Sequence, residues 1–304
     1  MKKWNRREVI AAGAALGIIP GIGVGDDAMM LAKAIPASGE TLPVIGLGTY
    51  SVFDVESTPD EIALRSGIVD KLIDAGGSLL DTSPMYKRSE KVIGDVIKAG
   101  ANRDDLFLAT KVWTDGKEAG ARQMQRSADL MNTDVIDLMQ VHNLRGTDEQ
   151  LPVMFDWKEQ GRLGHVGITT HRVSQHADIE KFMNKYPLDF IQVNYSMADR
   201  AAAERLLPLA IDRGVAVLVN RPFGNGKLFG AVKGVELPSW AGDIDAESWG
   251  QVFLKYIIAH PAQTIPIPGT SKPHHAEDNI GAMYGPLPDA ALRREMEEMI
   301  DGLI

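Results

Sequence analysis

Residues 76–86, with the sequence GGSLLDTSPMY, contain a helix end, a short strand and two chemically useful side chains in succession. The glycine pair at 76 and 77 is typical of the end of a helix. The following run, 78–82, is short and apolar, as expected for a strand that is buried on both faces. Asp81 and Tyr86 lie at and just beyond the end of that strand. The stretch therefore predicts a helix–strand unit whose carboxyl end presents a carboxylate and a phenol.

The same unit recurs along the chain. From Pro43 onward, eight apolar runs alternate with amphipathic stretches, which is the rhythm of βα units. Eight strands, each followed by a helix, predict a (β/α)8 TIM barrel of the α/β class. A doubly wound open sheet is the alternative, but Gly46-Leu47-Gly48 is not the glycine-rich turn that such a sheet uses after its first strand. The predicted strands are 44–49, 78–82, 106–112, 135–142, 165–169, 190–194, 216–220 and 264–268.

Helix starts are marked by capping signals. Thr58, Pro59 and Glu61 form a capping box with proline in the first turn, and Thr147 to Gln150 repeats the pattern without the proline. These positions predict two helix starts. The other helices are predicted at about 90–99, 118–132, 175–185, 201–213, 246–259, 273–283 and 289–301.

Composition restricts the class of protein. The 304 residues are 44% hydrophobic and 24% charged, which is typical of a globular domain with a sizeable core. The formal net charge of -9 argues against a nucleic-acid partner, because phosphate binding needs a basic face. The absence of cysteine excludes thiolate nucleophiles, cysteine-ligated zinc and disulfides. We expect one barrel domain, residues 35–304.

The first residues predict an export signal. Four basic residues among the first seven precede an apolar stretch at 9–25, and Ala32-Lys33-Ala34 has the small residues of a cleavage site. Arg6-Arg7 resembles the twin-arginine signal, which directs folded proteins to the export machinery. We therefore expect removal of residues 1–34 and a periplasmic location. The stretch is too short and too glycine-rich for a stable membrane span. The alternative is a disordered or peripheral N-terminal helix on a cytoplasmic protein.

Four strand-end residues form a candidate catalytic group. In a TIM barrel the carboxyl ends of the strands converge on one site, and here they bring Asp81, Tyr86, Lys111 and His142. A phenol titrates near pH 10, so an adjacent ammonium from Lys111 is expected to lower its pKa. Asp81 can be the counter-ion of a buried Lys111. His142 can hydrogen-bond a substrate carbonyl and stabilise the oxyanion that develops there.

Each of these residues also has a structural interpretation. A single lysine after a strand is usually solvated, and a single barrel histidine is usually a structural residue. The four together on successive strands favour catalysis. Lys111 could also serve as the Schiff-base lysine of a barrel lyase or hydrolase. His274-His275 has no third ligand nearby, so no metal site is predicted.

Several motifs together resemble the aldo-keto reductase family. They are residues 76–86 with SEKVIG at 89–94, Lys111-Val112-Trp113, His142, and IPGTSKPHHAEDN at 267–279. The resemblance extends from about Leu42 to the C-terminus. It implies reduction of a small-molecule carbonyl with hydride from a reduced nicotinamide. It also implies that Tyr86 is the general acid, that Lys111 lowers its pKa, that Asp81 pairs with Lys111 and that His142 orients the substrate.

The resemblance also implies a cofactor site, from which this chain departs in places. Thr169 and Thr170 stand where the family more often has Ser and Asn, and Asn220 stands where an aromatic residue usually stacks on nicotinamide. NADPH is the expected cofactor and NADH the alternative, because Gly269 and His275 replace frequent basic residues. The implied cofactor-binding residues are Thr169, Thr170, Gln192, Asn220, Arg221, Pro222, Gly224, Gly269, Thr270, Lys272, His275, Asp278 and Asn279.

The substrate pocket is expected to be open, because the chain lacks the long C-terminal loop that shapes the pocket in some family members. Its expected lining is Tyr50, Phe53, Met85, Trp113 and Asn143. The altered position 220 leaves a second hypothesis, a non-catalytic cofactor-binding or redox-sensing barrel that is exported with bound NADPH.

Overall fold

A computed structural model describes residues 29–304. The basic head and apolar stretch of the predicted leader lie outside the described residues. The described chain opens with an antiparallel hairpin of β1 (Ala32–Ala34) and β2 (Thr41–Pro43), and the barrel strands follow.

Eight parallel strands form the barrel in sequence order, so the predicted (β/α)8 fold is confirmed. Backbone hydrogen bonds from Gly46 N to Pro266 O (3.0 Å) and from Gly48 N to Pro268 O (3.1 Å) join the first strand to the last. This contact closes the barrel and rules out the open-sheet alternative. The barrel strands are β3 (Leu47–Gly48), β4 (Leu79–Asp81), β5 (Phe107–Val112), β6 (Ile136–His142), β7 (Leu163–Thr169), β8 (Phe190–Asn194), β9 (Ala216–Asn220) and β10 (Thr264–Pro266).

The helices begin close to the predicted positions, with one capping error. Thr58 caps the first helix as predicted, since its hydroxyl accepts from Glu61 N at 3.3 Å. The capping box at Thr147 is wrong: Gly146 is the cap residue, and the Thr147 hydroxyl donates back to Leu144 O. The helices are α1 (Pro59–Asp74), α2 (Ser89–Ala99), α3 (Lys117–Leu130), α4 (Thr147–Glu159), α5 (His176–Lys185), α6 (Ala201–Arg213), α7 (Lys227–Ala231), α8 (Trp249–Ile258), α9 (Pro273–Gly281) and α10 (Ala290–Asp301).

Strand alternation divides the core into two parts. Every second strand residue, such as Leu79, Phe107 and Leu138, belongs to a small cluster that fills the barrel interior. Their neighbours Leu80 and Leu108 belong to the larger cluster between the strands and the helices. Because the side-chain period in a strand is two residues, the inward positions near each carboxyl end follow directly from this division.

The N-terminal hairpin is an integral part of the domain. The Lys33 ammonium donates to Ile258 O (2.7 Å), Ala262 O (3.0 Å) and Thr264 Oγ1 (3.2 Å), near the C-terminal end of α8, where backbone carbonyls attract a cation. Leu31 N also donates to Met283 O at 2.7 Å. The described fold therefore includes β1, which precedes the predicted domain start at residue 35. Among residues 29–304, no helix is long and apolar enough to cross a membrane.

Candidate active site

The inward positions of four strands place polar side chains above the apolar barrel interior. On β4, Asp81 follows Leu79 by two residues and shares its face, and Lys111 stands in the same way above Ala109 on β5. Gln140 on β6 and Gln192 on β8 occupy the corresponding inward positions above Leu138 and Phe190. The barrel thus brings residues that are far apart in sequence to one buried layer.

A buried ion pair lies at the centre of this layer. Lys111 Nζ is 2.7 Å from Asp81 Oδ2, and the two side chains are 0% and 3% exposed. The ammonium also donates to Thr82 O at 2.7 Å. Asp81 Oδ1 accepts from Gln140 Nε2 (3.2 Å) and Gln192 Nε2 (2.8 Å). Both charges are therefore paired and hydrogen-bonded, which is the condition for keeping charges in a protein interior.

Tyr86 stands directly beside the buried ammonium. Lys111 Nζ lies 5.2 Å from the centroid of the Tyr86 ring. Burial would lower the pKa of Lys111, but Asp81 and Tyr86 hold that pKa above its ordinary value, so the ammonium stays charged.

The net pKa shift of Tyr86 differs from the expectation. Burial raises the pKa of the phenol, and the lowering by Lys111 is the smaller of the two effects. The expected net lowering of the Tyr86 pKa is therefore wrong for this arrangement. A protonated phenol is nevertheless the form that a general acid needs, and the adjacent ammonium favours the phenolate that remains after proton transfer.

A short 3-10 helix, Pro84–Tyr86, sets the position of the phenol. Ser83 begins it, because its hydroxyl accepts from Met85 N at 3.2 Å and its carbonyl accepts from Tyr86 N at 2.9 Å. The Tyr86 ring makes edge contacts with Tyr50 (centroids 5.1 Å apart) and His142 (5.9 Å). The loop after β4 thus delivers Tyr86 to the ring of His142.

His142 is neutral and its ring is oriented by Ser83. Burial, with a further contribution from Lys111, lowers the pKa of His142 to about 2. Ser83 Oγ lies 2.8 Å from His142 Nδ1. Because this hydroxyl already accepts from a backbone N–H, it is free to donate its proton to Nδ1. When Ser83 donates in this way, the proton of the neutral imidazole resides on Nε2.

Sequence reasoning missed two residues of this layer, Ser83 and Gln140. Ser83 lies within the stretch 76–86, and its position just before the 3-10 helix was the available signal. Gln140 precedes His142 by two residues on the same inward face, so strand alternation could have identified it.

The predicted carboxamide-binding residues form hydrogen bonds with one another. The Thr169 hydroxyl donates to Gln192 Oε1 at 3.0 Å, which links it to Asp81 through the other end of the Gln192 amide. The Thr170 hydroxyl donates to Gln175 Oε1 at 2.5 Å. Asn220 Nδ2 donates to Thr170 O at 3.0 Å, so its side chain reaches from the end of β9 to the residue after β7.

The loop after β9 has the backbone form of a tight turn. Arg221 has φ +53° and Gly224 has φ +56°, so glycine is favoured at 224 and Arg221 holds a conformation that non-glycine residues seldom adopt. Pro222 between them is buried. Burial lowers the pKa of His171, and the positive charges of Arg221 and Arg172 lower it further. The turn thus adds a cation to the mouth of the barrel.

The loop after β10 contains a glycine that the barrel packing requires, and it leads to polar side chains at the start of α9. A Cβ atom at Gly269 would lie 2.8 Å from Gly48 O, so the close approach of the first and last strands explains this glycine. The Thr270 hydroxyl accepts from Lys272 N at 3.0 Å at the start of α9. The ring centroids of His274 and His275 are 4.4 Å apart at the first turn of that helix.

Two predicted cofactor-binding residues further along α9 are partly or fully buried. Asn279 is 8% exposed. Asp278 accepts from Ser248 Oγ (2.9 Å) and Gln251 Nε2 (3.1 Å), so both of its carboxylate oxygens already hold the start of α8. The structure gives Asp278 a structural role that the sequence did not indicate.

The predicted pocket lining is at the mouth with one exception. Tyr50 is 71% exposed, and Met85 and Trp113 are also exposed. Asn143 Oδ1 lies 3.1 Å from His171 Nδ1 above the barrel. Phe53 was wrongly included, because its side chain is fully buried in the main core. Among residues 29–304, no group of three or more His, Asp or Glu side chains is placed to hold a metal ion.

Comparisons with known proteins agree on one family. A family model described as the aldo/keto reductase family matches residues 44–297. Aldo-keto reductase YhdN of Bacillus subtilis (strain 168) is 29% identical over 203 residues, which cover 61% of this chain but only 60% of that protein. The NADH-specific methylglyoxal reductase of Escherichia coli (strain K12) is 25% identical, with coverage of 86% and 96%. A structure of an aldo/keto reductase from Klebsiella pneumoniae in complex with NADP and acetate has a TM-score of 0.72 at 22% identity, with coverage of 86% and 93%.

Proposed function

This chain belongs to the aldo/keto reductase family, and on that premise we propose that it reduces an aldehyde or ketone to an alcohol with Tyr86 as the proton donor. The observation that carries the proposal is the buried Lys111–Asp81 pair beside the Tyr86 ring, with a neutral His142 against the same ring. The Lys111 ammonium, 5.2 Å from the centre of the Tyr86 ring, is the neighbour that a phenol acting as an acid catalyst needs.

The residues present fit a nicotinamide dinucleotide. Buried acceptor atoms without a partner lie in or just after two strands that reach the mouth: Thr82 Oγ1 and Asn220 Oδ1. Such atoms favour a ligand that brings N–H or O–H donors to the site. When bound, the reduced cofactor supplies the hydride. The turn 221–224 and the start of α9, with Lys272, would hold its phosphates through a cation and backbone N–H groups.

NADPH is the proposed cofactor, with NADH as the alternative. The support is that Lys272 and His275 lie at the start of α9, where the family resemblance implies a site for the 2'-phosphate. Burial and the neighbouring His274 and Lys272 lower the pKa of His275, so this residue offers a neutral N–H donor rather than a second charge at neutral pH. Measured affinities for the two nucleotides decide between them.

The chain's own residues would act in sequence on the carbonyl oxygen. His142 Nε2–H donates a hydrogen bond that orients the carbonyl, and Ser83 keeps the imidazole in the required tautomer. Tyr86 Oη transfers its proton to the oxygen as negative charge develops there. Lys111 stabilises the resulting phenolate electrostatically, and Asp81 keeps the ammonium charged and in place.

The test is Tyr86→Phe, with Tyr50→Phe as the matched control at an exposed phenol near the same ring. Turnover is measured with methylglyoxal and 4-nitrobenzaldehyde, and NADPH binding by quenching of tryptophan fluorescence. Tyr86→Phe should lose about 10²–10⁴-fold in kcat, the usual contribution of a general acid, with nucleotide affinity unchanged. Tyr50→Phe should stay within a few-fold of the parent protein.

Three other outcomes would contradict the proposal. Turnover of Tyr86→Phe within a few-fold of the parent protein would show that Tyr86 is not the proton donor. Tight NADPH binding without reduction of any carbonyl by the parent protein would favour the non-catalytic, redox-sensing barrel. Borohydride trapping of a carbonyl on Lys111 would indicate a Schiff-base lyase.

We also propose that the N-terminal residues direct export to the periplasm. The support is the order of basic residues, Arg6-Arg7 and the apolar stretch at 9–25. Residues 1–40 fused to a reporter should be exported, and a variant with Arg6→Lys and Arg7→Lys should leave the reporter in the cytoplasm. Equal distribution of both reporters would exclude a twin-arginine route and leave the cytoplasmic alternative.

A further inference from the structure

The two threonine hydroxyls that stand at the expected carboxamide site are already donating to protein groups. Thr169 donates to Gln192, and Thr170 donates to Gln175 while accepting from Arg172 N at 3.1 Å. Both side chains are almost completely buried, at 2% and 0% exposure. Neither hydroxyl proton is therefore free for a ligand, so what this region can offer to a ligand is an acceptor group.

Asn220 offers such a group. Its Nδ2 donates to Thr170 O, which fixes the amide plane and determines the direction of the other end of the side chain. Its Oδ1 is buried and has no hydrogen-bond partner. A buried acceptor without a partner destabilises a folded protein, so a position of this kind favours a ligand donor that satisfies it.

The surroundings of Asn220 locate that donor at the mouth, above the catalytic layer. Asn220 pairs in register with Asn194 on β8, two residues above Gln192, and Gln192 bonds Asp81. The bond to Thr170 joins the end of β9 to the residue after β7, and β8 lies between these two strands. The amide of Asn220 therefore lies at the carboxyl ends of three adjacent strands.

We propose that Asn220 Oδ1 accepts a hydrogen bond from the carboxamide N–H of the nicotinamide and so fixes the rotation of that ring. The proposal rests on the proposed function, since it concerns the same cofactor. Asn220 is a positioning residue here: it replaces ring stacking with a directional bond, and it supplies the amide that position 170 lacks. The carboxamide is the appropriate ligand because it carries the N–H donors that Oδ1 needs.

The test compares two nucleotides that differ at that group. NADPH has a carboxamide, whereas its 3-acetylpyridine analogue has a methyl ketone, which keeps the carbonyl and loses both N–H donors. Dissociation constants for both are measured by tryptophan fluorescence in the parent protein, in Asn220→Ala and in Asn194→Ala. Asn194 is the matched control because it is also a strand-end asparagine with a buried, unpartnered Oδ1, and its Nδ2 bonds Asp199.

We expect that only substitution of Asn220 removes the preference for NADPH over its 3-acetylpyridine analogue. The parent protein and Asn194→Ala should bind NADPH about ten-fold more tightly than the analogue, which is the value of about one hydrogen bond. Asn220→Ala should bind the two nucleotides equally. Thermal unfolding of each variant verifies that the barrel is intact, and Asn220→Ser, a second small variant, should also lose most of the discrimination.

Three outcomes would overturn the inference. Equal discrimination in Asn220→Ala and the parent protein would show that the carboxamide bonds elsewhere. No discrimination by the parent protein would show that the carboxamide N–H makes no bond, with Oδ1 satisfied by water. Loss of discrimination in Asn194→Ala alone would assign the role to the neighbouring strand. In all three the cofactor still binds, so the proposed function survives; failure of the parent protein to bind either nucleotide would overturn both.

Discussion

The Lys111 ammonium is fully buried, so removing it should destabilise the protein as well as inactivate it. Lys111→Met keeps the length of the side chain but leaves Asp81, 3% exposed, without its counter-ion. Breaking a buried ion pair by removing one partner costs about 3–5 kcal/mol, because the remaining charge stays buried.

The structure places this variant at the lower end of that range. Asp81 keeps two amide donors, Gln140 Nε2 at 3.2 Å and Gln192 Nε2 at 2.8 Å, which continue to stabilise the carboxylate. We therefore expect a loss of about 3 kcal/mol. With an m-value of about 3 kcal/mol/M, the midpoint of urea unfolding should fall by about 1 M.

Urea denaturation followed by far-UV circular dichroism measures the effect, and a second substitution tests its cause. In Lys111→Met with Asp81→Asn no buried charge remains, so the double variant should be more stable than the sum of the single losses by about 2 kcal/mol. Lys91→Met is the control, since it breaks an exposed pair with Asp95 that is worth about 0.5 kcal/mol. Additive losses, or a Lys111→Met effect as small as that of Lys91→Met, would refute the electrostatic explanation.

Four further predictions test the histidine and the N-terminal boundary. Ser83→Ala should lower kcat/KM about ten-fold, because it removes the 2.8 Å contact that selects the tautomer of His142; stopped-flow or steady-state turnover measures this, and unchanged turnover would contradict the role. Burial lowers the pKa of His142 to about 2, so this imidazole should produce no break in the rate between about pH 5 and 8. Because the unfolded chain takes up that proton near pH 6.5, the same residue should reduce stability progressively as the pH falls below about 6.5. A chain beginning at residue 35 should be less stable than one beginning at residue 29 by at least about 3 kcal/mol, because the Lys33 hydrogen bonds are lost. Equal melting temperatures of the two chains would show that β1 contributes nothing.

The barrel was predictable because its determinants are local. Apolar runs, capping signals and glycine helix ends repeat along the chain, and each of the eight predicted strands overlaps an observed one. The errors occur where local rules compete. Thr147 looks like a cap, but Gly146 takes that position with φ +65°, which a glycine adopts without strain. The contacts of Lys33 were not predictable from local rules, because its three acceptors lie more than 200 residues away.

Within the site, the sequence determined which residues lie close together, and the tertiary structure determined their protonation states. Asp81, Lys111 and His142 lie at strand ends, and parallel strands in a barrel bring such ends together, so their proximity follows from order along the chain. Protonation does not follow from order, because it depends on burial and on neighbours from distant strands. Only the folded barrel showed that burial outweighs Lys111 in setting the pKa of Tyr86 and that His142 is neutral.

The same distinction holds for position 220. From the sequence, Asn220 is the loss of a stacking ring and nothing more. The fold places β9 next to β8, which pairs in turn with β7. The Nδ2 of Asn220 then donates to the backbone carbonyl of Thr170, and Oδ1 is left buried and without a hydrogen-bond partner. The sequence determined the fold and which side chains lie at the strand ends, because periodicity and strand ends are local properties. Hydrogen-bond partners and charge states were decided by the tertiary structure, because they arise between strands that the chain order does not place in contact.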